Sequence, residues 1–329
     1  MKLIFDINGG DNREEIILGA LEASKEFNTD IILVGDEDFA KSVLEKNEYD
    51  RDRIEIVDAK ENIENNEDPA FAIRRKKDSS IVVALKLLKE NKDYAFISAG
   101  STGALLAGGL FIVGRIKGVK RGVLPVYIPG LKSKTMVIDS GANMDTSPEL
   151  LLQFANLGKI FLETQYKIEN PRIGLLNIGL EEGKGNSLAK ETYKLLKESD
   201  LNFCGNVESR DISNNDCDLV VCDGFAGNIL LKGIEGTANF ITKMLFNEVN
   251  KSDLDENVKH ELFALMKSKL SQLDSNEVGG TLLLGIDGNI VKAHGSSNSV
   301  AIKNAAKYAI EINKNNVIDK IKERMGDEN

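Results

Sequence analysis

Six glycine-bearing turns carry the polar side chains that could do chemistry in this sequence. Each follows an apolar run with strand character, and several lead directly into a helical pattern. Free backbone N–H groups at a helix start, together with the positive end of the helix dipole, bind phosphate. A single such turn is an ordinary connection between a strand and a helix, but six of them predict a cleft that binds phosphate or a phosphoester. They occupy residues 6–11, 98–103, 139–143, 177–186, 223–228 and 292–298.

The turn at residues 177–186 resembles a P-loop without matching it. Three residues instead of four separate Gly179 from Gly183, and Lys184 is followed by glycine where Ser or Thr is required. The first strand is not followed by GxGxxG, the dinucleotide fingerprint. An NTPase is therefore not expected, and the sequence lacks the signature of a dinucleotide site.

The two histidines differ in their setting. His260 lies in an amphipathic helical section and is interpreted as a surface or packing residue. His294 precedes Gly295 at a predicted helix start, where it either makes a structural hydrogen bond or serves substrate or leaving-group chemistry. A serine triad would need His294, yet the sequence has no GxSxG elbow.

The three cysteines, Cys204, Cys217 and Cys222, are sparse and odd in number. We expect them to be reduced thiols in a cytoplasmic protein. Their spacing differs from that of paired CxxC metal ligands, so a metal site is not expected. Cys222 follows the apolar run DLVV and is interpreted as a small buried hydrophobe.

Strand-like apolar runs alternate with stretches of helical periodicity. The alternation predicts βαβ units and a three-layer α/β/α sandwich with a mostly parallel sheet. Because no linker or repeat divides residues 1–329, we expect a single α/β domain. The predicted strands are 2–5, 31–34, 54–57, 94–98, 122–128, 135–138, 172–177 and 219–222. The predicted helices are 14–26, 80–91, 102–113, 148–166, 187–198, 296–313 and 317–325.

A long helical section covers about residues 225–273 and is interrupted near 250–256. Apolar residues at helical spacing on both arms predict a protruding antiparallel pair over about residues 236–274. We interpret this hairpin as packing against the core or against a second subunit. Association with a membrane surface is the alternative.

Composition and charge exclude several classes of protein. The chain of 329 residues is 42% hydrophobic and 29% charged. Its net charge of −10 argues against a protein whose overall charge attracts nucleic acid. The N-terminal apolar run ends at Asp6, so no secretory signal is expected. Residues 94–114 are uncharged but contain Ser, Thr and Gly, so they predict a strand, a turn and a buried helix instead of a membrane span.

Two basic islands interrupt this acidic chain. No Asp or Glu occurs between Asp93 and Asp139, where six basic residues fall. Such islands either form a solvated face or dock an acidic partner. The first consists of Arg74, Arg75, Lys76 and Lys77, and the second of Arg115, Lys117, Lys120, Arg121, Lys132 and Lys134.

The motifs together resemble one family along the whole chain, the phosphate acyltransferases of bacterial phospholipid synthesis (PlsX). Asn8, Ser101 and Ala226 stand where the family usually has Met, Asn and Thr. The matching motifs are GGD at 9–11, AIRRKKDSS at 72–80, SAGSTGALLAGG at 98–109, VGRIKG at 113–118, GAN at 141–143, NPRIGLLNIGLEEGKGN at 170–186, VCDGFAGN at 221–228 and KAHGSSN at 292–298.

The resemblance implies transfer of a long-chain acyl group from acyl carrier protein to inorganic phosphate, without a metal or an organic cofactor. It implies a fold similar to phosphotransacetylases and isocitrate dehydrogenases. It also implies a cytoplasmic, peripherally membrane-associated homodimer that supplies acyl phosphate to a membrane glycerol-3-phosphate acyltransferase for phosphatidic acid synthesis. A short-chain phosphotransacetylase that uses coenzyme A, and a non-catalytic phosphoester-binding protein, are the alternatives.

Site residues follow as hypotheses from the resemblance. Lys184 and Lys292 hold phosphate, while His294 and Ser296 polarise the carbonyl or assist the departing thiol. Asn143, Asn186 and Asn228 orient substrates, and Asp139 and Asp223 place a lysine instead of acting as bases. The further predicted binding residues are Asn8, Gly9, Gly10, Asp11, Ser101, Thr102, Gly103, Gly141, Glu182, Gly183, Gly185, Gly224, Gly295 and Ser297. The carrier protein is expected to dock on Arg74, Arg75, Lys76, Lys77, Arg115, Lys117, Lys120 and Arg121.

Overall fold

Runs of Ile, Val and Leu form the buried strands of two sheets. The computed structural model describes residues 1–64, 66–270 and 279–326. The strands are β1 (Lys2–Asp6), β2 (Asp30–Gly35), β3 (Ile54–Asp58), β4 (Ala95–Ser98), β5 (Val126–Pro129), β6 (Lys134–Ile138), β7 (Ile173–Asn177), β8 (Phe203–Glu208), β9 (Leu219–Val221), β10 (Thr281–Leu282) and β11 (Asn289–Lys292).

The first sheet has the strand order β10-β11-β4-β1-β2-β3, and the second has the order β5-β6-β9-β7-β8. Neighbouring strands are parallel except that β10 is antiparallel to β11 and β5 is antiparallel to β6. Parallel strands bring their carboxyl ends, and the turns that follow them, to one edge of a sheet. The mostly parallel pairing is confirmed, but in two sheets where one was expected.

Helices cover both faces of each sheet and give the α/β/α layering. Leu3 and Phe5 of β1 pack in one cluster with Ile302, whereas Ile4 packs in another with Leu85. Such burial on both faces is typical of parallel strands. The helices are α1 (Arg13–Phe27), α2 (Glu37–Leu44), α3 (Pro69–Arg75), α4 (Ser80–Glu90), α5 (Thr102–Gly108), α6 (Pro148–Gln165), α7 (Ser187–Glu198), α8 (Gly224–Lys251), α9 (Glu256–Leu270), α10 (Ser299–Lys314) and α11 (Val317–Gly326).

The largest apolar cluster contains residues of both sheets. Phe5 and Ile97 of the first sheet belong to the same cluster as Phe154 of α6 and Leu219 of the second. The two sheets therefore share buried apolar contacts along their common boundary.

Several elements differ from their predicted bounds. The predicted strand at 122–128 begins at Val126, because Val123 instead exchanges backbone hydrogen bonds of 2.9 and 3.0 Å with Leu284. β8 was not predicted because Gly205 and Asn206 interrupt its apolar pattern. β10 and β11, with two and four residues, are too short for a period to show. The short helices α2 and α3 were also missed.

The uncharged segment 94–114 forms β4, a turn and α5, and then a π-helical turn over Gly109–Val113. Within the described residues, no helix is long and apolar enough to cross a membrane. The interpretation of this segment as a strand, a turn and a helix is confirmed.

α8 and α9 form the predicted helical pair. The rings of Phe246 and Phe263 stack with centroids 5.0 Å apart. Among α8 residues only Gly224 and Gly227 are buried, so most of the helix projects from the core. His260 is exposed, as predicted. Residues 271–274 of the predicted hairpin lie outside the described residues.

Two of the three cysteines lie next to each other. β8 and the segment before β9 bring the sulfur atoms of Cys204 and Cys217 together. Cys222 is free and buried, as predicted.

Candidate active site between the two sheets

A cavity of about 480 Å³ lies where the carboxyl ends of β4 and β11 in the first sheet face the end of β6 in the second. One side of helix α8 closes it. Both sheets therefore contribute to one site. Its lining is Ala99, Gly100, Thr102, Leu124, Val126, Tyr127, Ser140, Gly141, Asn228, Leu231, Lys232, Glu235, Gly279, Gly280, Thr281, Lys292, Ala293, His294 and Gly295.

Four of the six predicted turns contribute to this lining, and a fifth supports it from behind. The turn after β1 packs against the others, since the Asp11 N–H donates to the Gly295 carbonyl at 2.8 Å. Gly10 has φ of 81°, and a Cβ there would lie 2.8 Å from Cβ of Ala99. Only glycine fits this close approach without a shift of the neighbouring turn.

The turn at 177–186 does not reach the cavity, so the expectation of one hollow shared by six turns fails for this turn. Lys184 and Glu182 are exposed, and Glu182 pairs with Lys197 at 2.8 Å. Gly185 and Asn186 line a different cavity. The reason is that β9 lies between β6 and β7, which separates the turn after β7 from the first sheet. Lys184 and Lys292 therefore do not line the same cavity.

Some of the remaining predicted binding residues line the cavity, and the others lie outside its lining. Six line the cavity, namely Thr102, Gly141, Asn228, Lys292, His294 and Gly295. Those outside the lining are Asn8, Gly9, Gly10, Asp11, Ser101, Gly103, Asp139, Asn143, Asp223, Gly224, Ser296 and Ser297. Gly183 is exposed on the turn after β7.

Lys292 is a poorly neutralised cation on the cavity wall. Its Nζ donates to the carbonyl oxygen of Ala99 at 3.4 Å and to that of Ala293. Burial lowers the pKa of Lys292 to about 8, against the opposing influence of Asp6 and Asp11. An anion in the cavity would stabilise the charged form, so this position favours phosphate.

His294 is held in one orientation by the turn that follows it. The Ser296 backbone N–H lies 3.3 Å from Nδ1 of His294, and the Ser296 hydroxyl lies 2.9 Å from it. Because a backbone N–H can only donate, we assign Nδ1 as the acceptor and Nε2 as the protonated nitrogen. Burial, Lys232 and Lys292 lower the pKa of His294, so the neutral ring with an Nε2–H donor is favoured. Ser296 therefore positions the ring.

Asp139 and Asp223, for which a lysine-placing role is predicted, both accept hydrogen bonds from backbone N–H groups. Asp139 is buried and accepts from the N–H groups of Leu124 and Asn143 at 3.1 and 2.6 Å. Asp223 accepts from the Ala226 N–H at 2.8 Å and caps α8.

Two of the three asparagines predicted to orient substrates make hydrogen bonds within the protein. Asn143 Nδ2 donates to Asp139 and to the Gly122 carbonyl, both at 2.9 Å. Asn186 caps α7 by accepting from the Ala189 N–H at 2.9 Å. Asn228 alone of the three lines the cavity.

Three charged residues at the site were missed by sequence reasoning. Asp6 is fully buried behind the cavity, where Ser98 Oγ donates to it at 2.7 Å and burial raises the pKa of its carboxyl. Lys232 and Glu235 line the cavity and pair at 2.7 Å. The signal for the latter pair was the helical spacing from Asn228, since residues three, four and seven positions apart share a helix face.

Comparison with known proteins identifies the family. A family model described as "Fatty acid synthesis protein" matches residues 1–320. A phosphate acyltransferase from Clostridium kluyveri is 49% identical over 323 residues, which cover 98% of this chain and 97% of the relative. The chain belongs to the phosphate acyltransferase family. Membership makes it an acyltransferase enzyme.

Solved structures place this phosphate acyltransferase family member in a known fold. A phosphotransacetylase from Staphylococcus aureus superposes with a TM-score of 0.59 at 15% identity, covering 95% of this chain and 94% of that chain. A 4-hydroxythreonine-4-phosphate dehydrogenase from Klebsiella pneumoniae gives 0.54 at 13% identity, covering 95% and 97%. At these identities the likeness concerns the fold alone, and it confirms the predicted similarity to phosphotransacetylases.

Ser101, where the resemblance implies asparagine as the usual family residue, lies at the start of α5. Ser101 Oγ accepts from the Ala104 N–H at 3.4 Å and caps α5. Serine and asparagine are comparable N-cap residues, so the exchange preserves the helix start.

We expect kcat/KM for phosphate to fall as the pH rises through about 8, because the pKa of Lys292 lies there and its ammonium is lost above it. Lys292→Arg keeps its charge at all working pH values, so any residual activity of that variant should lack this fall. Initial rates at subsaturating phosphate across pH 6.5 to about 9.5 check it. The same fall in both proteins would assign the titration to another group.

Proposed function

We propose that this chain transfers a long-chain fatty acyl group from acyl carrier protein to inorganic phosphate, giving acyl phosphate for phosphatidic acid synthesis. The observation that carries the proposal is the cavity in which Lys292, Lys232 and His294 meet at the boundary of the two sheets. The Lys292 ammonium suits phosphate, and Lys232 adds a second ammonium that pairs with Glu235 at 2.7 Å. A neutral imidazole donor suits a developing oxyanion.

The reaction needs positioning more than activation. Lys292, with Lys232 near it, holds phosphate so that one of its oxygens forms a bond to the thioester carbon. The Nε2–H of His294 stabilises the negative charge that develops on the carbonyl oxygen. The carbon–sulfur bond then breaks, and sulfur leaves with the electron pair as a thiolate that takes a proton from solvent. Since a thiolate is a good leaving group, the mechanism requires no strong acid.

Incubation with palmitoyl-ACP and labelled phosphate tests the proposal. Labelled acyl phosphate and stoichiometric free carrier protein would support it. Phosphate binding without consumption of the thioester would point to a non-catalytic phosphoester-binding protein. A preference for acetyl-CoA over palmitoyl-ACP would point to the alternative of a short-chain phosphotransacetylase. The structural neighbour from S. aureus is named a phosphotransacetylase.

The first basic island offers a docking surface for an acidic carrier protein. Arg74, Arg75 and Lys77 are exposed, and the Arg74 guanidinium lies 4.9 Å from the ring centroid of Phe111. Phe111 is itself 54% exposed, so an apolar contact sits among positive charges. Lys76 is less available, because its Nζ binds Glu67 and the Asn62 carbonyl, both at 2.6 Å. In the second island, Arg115, Lys117, Lys120 and Arg121 are exposed.

We expect the double variant Arg74→Glu, Arg75→Glu to raise KM for acyl-ACP by about tenfold or more, because like charges repel an acidic partner. The kcat and the KM for phosphate should stay within about twofold. The control, Lys132→Glu with Lys134→Glu, makes the same charge change at exposed positions outside the proposed surface. Equal KM values in the two double variants would rule out docking on this island.

We also propose a homodimer that associates peripherally with the membrane and passes acyl phosphate to a membrane glycerol-3-phosphate acyltransferase. Support comes from the α8–α9 hairpin, which leaves large apolar side chains in water, among them Phe240 and Leu265. Sedimentation velocity and flotation with anionic vesicles test the two parts. A monomer, or a protein that stays below the vesicle layer, would contradict the corresponding part.

A further inference from the structure

A second cavity, of about 620 Å³, lies beside the first at the carboxyl ends of β7 and β9. Its wall is mainly apolar, with Leu176, Leu188 and Leu230 among the side chains that form it. Asp223 is the one acidic or basic residue in its described lining, and that carboxylate caps α8. The cavity is therefore built for an uncharged, apolar ligand.

The mouth of this cavity exposes large apolar side chains. Ile178 is 80% exposed, Phe225 is 61% exposed and Ile229 is 57% exposed, and all three line the cavity. Apolar side chains gathered around a concave surface mark binding sites, because water contact there is unfavourable. A ligand that covered these side chains would remove their apolar area from water.

Two asparagines of the wall already make hydrogen bonds within the protein. Asn186 Oδ1 accepts from the Ala189 N–H at 2.9 Å. Asn177 donates to Asn206 Oδ1 at 3.0 Å and accepts from the Ile178 N–H at 2.8 Å. These bonds reduce the hydrogen-bonding capacity left for a polar group such as a pantetheine arm, and the mainly apolar wall favours an alkyl chain.

Helix α8 is the common wall of the two cavities. Asn228 and Lys232 on one side of its first turns line the first cavity, which contains Lys292 and His294 and is called the anion cavity below. Phe225 and Ile229 line the second, apolar cavity. Since β9 alone separates β6 from β7, the two openings lie on the same edge of the second sheet, about 10 Å apart at the usual strand spacing. A molecule with a reactive head and an apolar tail can occupy both.

We propose that the second cavity binds the alkyl chain of the acyl donor and so selects for chain length. The inference rests on the proposed function, because it assigns the tail of the substrate whose carbonyl reacts in the anion cavity. A second copy of this chain could also cover the exposed side chains, and the test separates the two occupants.

Ala189→Phe tests the assignment, because this half-buried helix residue lines the cavity and a phenyl ring there would fill it. The variant should lower kcat/KM for palmitoyl-ACP about tenfold or more. Each methylene group that the phenyl ring excludes from the cavity should weaken binding roughly fourfold. The kcat/KM for butyryl-ACP and the KM for phosphate should stay within about twofold. Equal losses for both donors, or none for either, would overturn the inference while acyl phosphate formation by the wild type upheld the proposed function.

A binding readout makes the test independent of turnover. Palmitate should saturate the wild-type protein in a fluorescence or calorimetric titration, and Ile178→Asp should weaken that binding about tenfold. Leu131→Asp is the matched control, since Leu131 is 87% exposed and lies outside the cavity. Absence of saturable binding to the wild type would overturn the inference whether or not the enzyme turns over. The inference would also be overturned if Ile178→Asp converted a wild-type dimer to a monomer and left the affinity for palmitate unchanged. That result would show that a second copy of the chain covers the cavity.

Discussion

Replacing Lys292 with methionine should lower kcat/KM for phosphate by about 10²–10³-fold, the usual loss when a preorganised donor to developing charge is removed. Methionine keeps the length and apolar stem of lysine but not the charge that, in the proposed function, draws phosphate into the cavity. Steady-state rates at saturating acyl-ACP measure the effect. The free energy of unfolding should rise at neutral pH, because burial disfavours the charged form of Lys292. A stable but inactive variant would separate loss of chemistry from misfolding.

Two other lysines provide the comparison. Lys307→Met removes an exposed charge from α10, outside the cavity, and should leave kcat/KM within about twofold. Lys184→Met should cost less than about tenfold, because Lys184 does not line the cavity with Lys292. If Lys184→Met were as inactive as Lys292→Met, the cavity would be the wrong place for phosphate or the turn after β7 would have to move onto it.

Gly227→Ala should destabilise the protein by about 3 kcal/mol or more, at the upper end for overpacking a rigid contact. A Cβ on Gly227 would lie 1.9 Å from the carbonyl oxygen of Asp139, so either helix α8 or the turn after β6 must move. Because this turn and α8 both line the active site, activity should fall with stability. Urea unfolding followed by circular dichroism gives the free energy.

Gly233→Ala is the matched control on the same helix. A Cβ at Gly233 would meet nothing within 4 Å, so the substitution should instead stabilise the protein by up to about 1 kcal/mol through helix propensity. A similar loss of stability in both variants would mean that the start of α8 tolerates no substitution for a reason other than contact with Asp139.

The location of the site was largely predictable, whereas its boundary was not. Turns after parallel strands must gather at sheet edges, and this placed His294 and Lys292 together with Gly141 correctly. The assignment of strands to two sheets depends on long-range pairing such as that between β4 and β11, which leaves no local pattern. Lys184 was therefore grouped with turns that it does not reach.

The roles of individual polar residues were harder to predict for a related reason. The sequence does not distinguish an Asp at the end of a strand that faces a ligand from one that accepts hydrogen bonds from backbone N–H groups. Asp139 is of the second kind. Lys232 follows Asn228 at helical spacing, but this spacing indicates a binding role only once Asn228 is known to line the cavity. Burial and hydrogen-bond geometry decide such cases, and sequence spacing alone does not.

The depressed pKa of Lys292 means that filling the anion cavity is coupled to proton uptake. Near pH 8 only part of the protein population carries a protonated Lys292. Binding of a tetrahedral dianion favours the protonated form, so hydrogen ions are taken up from the solution. Calorimetry with sulfate, which does not titrate in this range, should give an apparent enthalpy that varies with the ionisation heat of the buffer. The affinity of the empty enzyme for its anion is thus set partly by the acidity of its surroundings.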